Sequence, residues 1–255
     1  MSRGQFLNPF LDPADKALKR MAPALFPYYR RWRYDGPLWI SEVDLRGAWS
    51  RELGFFYARL PKVANTTILG SLVDAARARG VTGHDRVRHF FARPRTARRS
   101  DVEWIAGSAF KFAFVRDPFA RTLSAYLDKI VRNRPEGRRA RRWFAAHGIG
   151  EPDFTDFCRY LDDGGINDDP HWARQTDVLV MPLDALDFVG RMERLHGDLC
   201  AVHCRLFGAS PEEIAYRGPR ATGSASLIEQ HYSDEAYSTV RRLYAEDFSR
   251  LGYAA

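Results

Sequence analysis

The apolar positions fall into short runs separated by polar, turn-prone segments. Phe55-Phe56-Tyr57-Ala58-Arg59-Leu60 is an aromatic apolar run that stops at Pro61 and predicts a buried strand. From Ile68 onward, Leu69, Leu72, Val73 and Ala76 recur with helical spacing. Phe110 to Val115 predicts a second strand. Asp117-Pro118 follows at once, an N-cap and a first helical position opening a helix with Leu123, Tyr126, Leu127 and Ile130 on its apolar face. The segment Phe154 to Leu161 reads as a helix, Val178 to Leu183 as a third strand and Phe188-Val189-Gly190 as a fourth. Further helices are predicted from about Gly197 to Phe207, ending at Gly208, and from Ser233 to Phe248.

Strands alternating with helices predict an α/β fold, a parallel sheet flanked by helices, in a single domain spanning residues 51–255. Residues 1–50 carry Pro9, Pro13, Pro23, Pro27 and Pro37, which break long helices, together with Trp32, Trp39 and Trp49. They read as an irregular N-terminal arm packed on the core. The run Arg132 to Arg142, with Pro135 and Gly137 inside it, reads as a surface loop.

At 255 residues, with 45% hydrophobic and 28% charged positions, the chain can bury a substantial core and is neither disordered nor fibrous. Lys+Arg number 39 against 32 Asp+Glu, and only five of the bases are lysines (16, 19, 62, 111, 129), which favours anionic ligands. Cys158, Cys200 and Cys204 are too few and too odd in number for a disulfide framework. No stretch approaches the roughly 18 apolar residues of a membrane span. The expected location is cytoplasmic or membrane-peripheral, with no integral membrane segment. His196, Cys200, His203 and Cys204 lie on one side of a single helix, where four ligands rarely close a tetrahedron, so no metal is expected. The Arg-rich segments Arg93 to Arg99 and Arg132 to Arg142 stand beside no nucleic-acid recognition motif, and no nucleic-acid partner is expected.

Two strand-to-helix junctions carry the candidate chemistry, because such turns aim backbone N–H groups and a positive helix end at an anion. The first, Leu60-Pro61-Lys62-Val63-Ala64-Asn65-Thr66-Thr67, brings a lysine and small polar side chains into the turn. It is not a Walker loop, since Lys62 precedes the small polar residues and no glycine stands among them. The second sets Arg116 at a strand end and Ser124 two turns inside the following helix, a guanidinium fork and a hydroxyl that can share one phosphate.

The pair LPKVANTT and FVRDPFARTLSAYLDK resembles the two nucleotide-binding signatures of the membrane-type (family 2) carbohydrate sulfotransferases. DPHWARQTDVL, DFVGRMERL and VRRLYAEDFSRLGY are similar to that family's C-terminal half, and the likeness runs in order from about Phe55 to Tyr253. It implies a P-loop-like fold and the donor 3′-phosphoadenosine-5′-phosphosulfate (PAPS). By the same resemblance Lys62, Val63, Ala64, Asn65, Thr66 and Thr67 hold the 5′-phosphosulfate, and Arg116 and Ser124 hold the 3′-phosphate. Asn65 stands where relatives often have Ser or Cys, and Ala64 where many have Gly. The animal relatives carry a membrane anchor and lumenal disulfides, and the expectation here is a soluble bacterial-type member. The acceptor would be a glycan, a glycolipid or a small hydroxylated molecule.

In-line sulfonate transfer needs a cation beside the departing phosphate, for which Lys62 is the candidate, and a base for the acceptor hydroxyl. His89, in VRHFF, and His171, in DPHW, are the leading bases, with His84 and Glu193 behind them. A small-molecule kinase of P-loop type and a non-catalytic polyanion-binding module are the alternative readings. The kinase would require magnesium and ATP, and it lacks the Walker lysine.

Overall fold

The computed structural model describes residues 11–209 and 223–255. Three helices come first, α1 (Leu11–Leu25), α2 (Pro27–Arg31) and α3 (Ile40–Asp44), followed by strands β1 (Gly47–Ser50) and β2 (Phe55–Ala58). Then come α4 (Asn65–Arg77), α5 (Arg99–Gly107), β3 (Phe110–Val115), α6 (Pro118–Tyr126), α7 (Arg138–Ala146), α8 (Phe154–Asp162) and α9 (Gln175–Val178). The chain closes with β4 (Phe188–Arg191), α10 (Leu195–Phe207), α11 (Ile228–His231), α12 (Asp234–Leu243) and α13 (Ala245–Leu251).

The four strands form one sheet in the order β1-β2-β3-β4. β2, β3 and β4 run parallel, with Ala58 opposite Ala113 and Val115 opposite Arg191, so their C-terminal ends, and the loops leaving them, share one edge. β1 pairs antiparallel with β2, which makes the sheet mixed rather than wholly parallel. Every residue of β2 is buried, as expected of a strand covered on both faces. Tyr57 stacks on Phe112 with ring centroids 4.8 Å apart. At Gly190 a β-carbon would lie 2.5 Å from the Phe114 ring, so β4 can approach β3 only with glycine there.

The apolar residues divide into two clusters. One wraps the sheet with α4 and the N-terminal helices; the other joins α6, α7, α8, α12 and α13 around Trp172 and Phe157. Among the described residues, no helix is long and apolar enough to cross a membrane.

Three sequence expectations are corrected. First, the described part of the arm is largely helical. Pro13 falls in the first turn of α1 and Pro27 at the start of α2, where a missing N–H matters least, and Pro23 falls in the last turn of α1, which ends two residues later. The Arg30 guanidinium donates to the Pro23 and Ala24 carbonyls that the end of α1 leaves over. Tyr28 stacks on Phe56 of β2 at 5.5 Å; Pro9 lies outside the described residues. Second, Val178 to Leu183 is not a strand, although Val178 to Met181 is buried. The arm takes up the Val180 carbonyl, the Tyr28 hydroxyl donating to it at 3.2 Å, and Tyr34 donates to the Asp177 carbonyl at 2.8 Å just before the segment. Third, the Arg132–Arg142 loop becomes α7 from Arg138. Ala140, Trp143 and Phe144 supply a buried stripe at helical spacing, and arginine is a good helix former.

Candidate active site

The loops leaving β2 and β3 start side by side because the two strands are parallel neighbours. In the first loop, Lys62 (φ 72°) and Ala64 (φ 57°) both take the left-handed conformation. For a non-glycine residue that costs roughly 1–2 kcal/mol each. Left-handed residues in such a turn aim successive N–H groups into one concavity, the backbone nest that receives phosphates. α4 opens immediately at Asn65, with Thr67 and Ile68 both donating to the Ala64 carbonyl. Thr66 is exposed and Thr67 buried. Asn65 Oδ1 is buried without a hydrogen-bond partner, a polar atom inside the loop awaiting a donor.

In the second loop Asp117 caps α6, its carboxylate accepting from Ala120 N at 2.8 Å, with Pro118 at the first helical position. The side-chain amide of Gln175 clamps the Arg116 backbone, accepting from its N–H at 2.9 Å and donating to its carbonyl at 2.8 Å. Gln175 is held in turn by Asp247, which accepts from Gln175 N at 2.7 Å and from the Thr176 N–H and hydroxyl. The Arg116 guanidinium then reaches in two directions, Nη1 to the Lys62 carbonyl at 3.1 Å and Nη2 to Ser224 Oγ at 2.7 Å. The two junctions are therefore in direct contact. Arg121, one helical turn further on and 1% exposed, donates to the carbonyls of Pro61, Pro170 and Ala173, fixing the first loop to the second and to the segment carrying His171. Ser124 is buried on α6.

A charged array runs away from Lys62. Its ammonium donates to Asp128 Oδ2 at 2.9 Å; Lys129 Nζ lies 3.3 Å from the same oxygen and 3.0 Å from Glu136 Oε1. Burial pulls the Lys62 pKa down to about 8, with Asp128 opposing and Lys129 and Arg116 adding repulsion. Burial alone would raise Asp128, but the hydrogen bond and charge of Lys62, joined by Lys129, hold it down at about 2. His171 lies at the far end. Its Nδ1 is 2.6 Å from Asp169 Oδ1, and Lys129, Glu136 and Arg46 are close enough to act on its charge or feel it. Burial holds His171 below the ordinary imidazole range against the pull of Asp169. Because a carboxylate only accepts, the proton of the neutral ring sits on Nδ1 and Nε2 is left as the acceptor.

The other candidate bases have different surroundings. His89 is exposed, with Arg93 Nη2 2.7 Å from its Nδ1 and the His84 ring 5.6 Å away. Partial desolvation and the neighbouring guanidiniums push its pKa down. His84 Nδ1 accepts from Arg86 N. Glu193 is engaged structurally, accepting from Asp117 N at 2.7 Å and from the Tyr253 hydroxyl at 3.0 Å. In the thiol and imidazole set of α10, His203 contacts Ser71 and Cys200 lies 3.9 Å from His196. Among the described residues no group of His, Cys, Asp and Glu could hold a metal ion.

A model of the sulfotransferase family matches residues 49–254. The chain belongs to the sulfotransferase family. It is similar to carbohydrate sulfotransferase 14 of Homo sapiens, 30% identical over 164 residues that cover 56% of this chain and 42% of that protein. It is also similar to carbohydrate sulfotransferase 10 of Xenopus laevis, 26% identical over 230 residues covering 77% and 64% respectively. The chain thus matches only part of the length of these relatives. No solved structure matches it significantly.

Within this sulfotransferase-family framework, sequence reasoning found both junctions but missed the residues that join them. Asp128, Lys129 and Arg121 lie inside the quoted second motif, yet the reach of Asp128 and Lys129 depends on the turn after α6, and that of Arg121 on carbonyls of distant loops. Ser224, Gln175 and Asp247 are 108, 59 and 131 positions away from Arg116; Gln175 and Asp247 fall in the family-like segments DPHWARQTDVL and VRRLYAEDFSRLGY, but nothing local ties them to Arg116.

Proposed function

We propose that the protein is a sulfotransferase that moves a sulfonate group from PAPS to a carbohydrate hydroxyl. The contact between Arg116 Nη1 and the Lys62 carbonyl carries this reading, because it puts an ammonium and a guanidinium within reach of one doubly anionic adenylate. The residues suit such a donor. The left-handed turn at Lys62 and Ala64 presents backbone donors, and Lys62 adds a cation beside them. Arg116 offers a fork for the 3′-phosphate, with Ser124 on the same helix junction.

In the proposed reaction the acceptor oxygen attacks sulfur while the bond from sulfur to the 5′-phosphate oxygen breaks. Charge growing on that phosphate is met by Lys62 and the loop N–H groups. The acceptor proton passes to His171 Nε2, and Asp169 fixes the tautomer that leaves this atom open. The Asp169 contact that leaves His171 Nε2 open, with Lys129 near enough to act on its charge, favours His171 over His89, whose contacts are with Arg93 and His84. The carbohydrate acceptor rests on the named activity of the relatives. A cytoplasmic or membrane-peripheral location, and the division into an arm of residues 1–50 and a domain of residues 51–255, are carried forward as parts of the same proposal.

Labelled-sulfate transfer from PAPS, screened against glycans, glycolipids and small alcohols, tests the reading. Lys62→Ala is expected to lower kcat by 10²-fold or more, and Arg116→Ala to raise the donor KM. Full donor-dependent turnover in Lys62→Ala would overturn the loop assignment. Stabilisation by ATP-Mg but not by 3′,5′-adenosine bisphosphate would point to a kinase, and by neither to a polyanion binder.

A further inference from the structure

Between α6 and the 3₁₀ turn at Pro135–Gly137 the chain makes a π-helical turn, Leu127–Val131. Such turns are rare and recur at functional sites. Here Asp128, Lys129 and Ile130 are consecutive and all buried, which one ordinary helical face would not accommodate. The turn presents two side chains of opposite charge to the donor loop at once. Asp128 Oδ2 is shared by Lys62 at 2.9 Å and Lys129 at 3.3 Å, while Oδ1 lies 3.9 Å from Arg132. Lys129 has a second carboxylate, Glu136, at 3.0 Å.

That arrangement has a consequence for the loop lysine. Lys62 is in a left-handed backbone conformation with a side chain 12% exposed, so its ammonium needs an anion when no donor is bound. Asp128 supplies one. When a phosphosulfate enters, Lys62 must give part or all of that contact to the incoming oxygens, and Asp128 would then be buried with less compensation. Lys129, already beside the same oxygen, can take it up.

We infer that Asp128 is a positioning residue that holds Lys62 ready for the donor, and that Lys129 takes over the Asp128 carboxylate when Lys62 turns to the donor. This rests on the donor site proposed above, deepening it by two residues. The groups facing Lys62 are Asp128 and Lys129 from the π-helical turn and Arg116 from the end of β3; those facing Lys129 are Asp128, Glu136 and His171.

The test uses the full chain with carbon-13 at lysine Cε, because five lysines give a spectrum simple enough to assign by substitution. Lys62 is expected to titrate near pH 8 in the wild type. Asp128→Asn should move that titration down by about one pH unit or more, a roughly tenfold loss of proton affinity. Lys129→Met should move it upward, since a like charge is removed. The opposite signs keep the inference testable if one variant fails to fold. Saturation with 3′,5′-adenosine bisphosphate should shift the Lys129 resonance as well as that of Lys62. In turnover, Asp128→Asn should move the alkaline limb of kcat/KM for the donor to lower pH, an effect absent in a Lys62→Arg background.

Unmoved Lys62 titration in a folded Asp128→Asn protein would overturn the inference. So would bisphosphate that binds, by its thermal shift, and leaves Lys129 undisturbed. Failure of the donor reading looks different: neither PAPS turnover nor bisphosphate binding would be seen, while the titration shifts of the two variants persisted.

Discussion

Ala64 shares with Lys62 the backbone strain of the loop between β2 and α4. At φ 57° and ψ 33° it occupies a conformation that glycine adopts without penalty. Replacing it by glycine relieves about 1–2 kcal/mol of backbone strain and returns about 0.4–1 kcal/mol of unfolded-state entropy. Ala64→Gly is therefore expected to stabilise the fold by roughly 0.5–1 kcal/mol, and Ala64→Val, β-branched in the same conformation, to destabilise it by at least about 1 kcal/mol. Urea unfolding with an unchanged m-value checks both. The sequence already marked this position as one lacking glycine's freedom. It could not show that the fold accepts the strain, because what holds the turn is distant. Arg121 binds the Pro61 carbonyl and Arg116 binds that of Lys62, so the residues flanking Ala64 are fixed from outside the loop. The same distance hid Asp128. A reader of SAYLDK sees an acid and a base side by side, and only the π-helical turn points both inward.

At the scale of elements, legibility followed burial. β2, β3 and the opening of α6 were readable because a strand buried on both faces is continuously apolar and because Asp117-Pro118 is a local start signal. Val178 to Leu183 misled for the same reason, as its buried first four residues, held at the Val180 carbonyl by the Tyr28 hydroxyl, have the composition of a strand. What the elements do jointly is visible in the Asp247–Gln175–Arg116 chain, which ties α13 through α9 to the end of β3. Gln175→Ala removes both amide contacts and leaves the Arg116 backbone N–H and carbonyl without that partner. A loss of about 2–4 kcal/mol is expected, with weaker stabilisation by 3′,5′-adenosine bisphosphate in a thermal-shift titration. Gly190→Ala tests a different element, forcing a methyl group against Phe114 at the β3–β4 seam. Overpacking of this kind costs about 1–3 kcal/mol, and because the seam lies within the sheet rather than in the donor loops, the bisphosphate affinity of the folded fraction should be retained.

Over the whole molecule, the site charges make stability and ligand binding respond to pH with opposite signs. Lys62 has a folded pKa near 8, below the value of about 10.4 it would have unfolded. Between those values the unfolded chain binds more protons than the folded one, so the Lys62 contribution makes stability rise with pH across that window. With its side chain only 12% exposed, the contribution is on the order of 2–3 kcal/mol, and the difference between wild type and Lys62→Met isolates it from other groups titrating there. Asp128 behaves in the reverse sense at the acid end. Its folded pKa near 2 lies below the unfolded value of about 3.9, so its stabilisation is present above that value and is lost as pH falls through about 2. In the proposed site, by contrast, donor binding would use the ammonium. The thermal shift produced by a fixed excess of 3′,5′-adenosine bisphosphate should therefore shrink as pH rises through 8, while the unliganded protein gains stability relative to Lys62→Met. If both quantities rose together above pH 8, the charge on Lys62 would play no part in holding the adenylate, and the cation beside the leaving phosphate would have to be sought among Lys129 and Arg116.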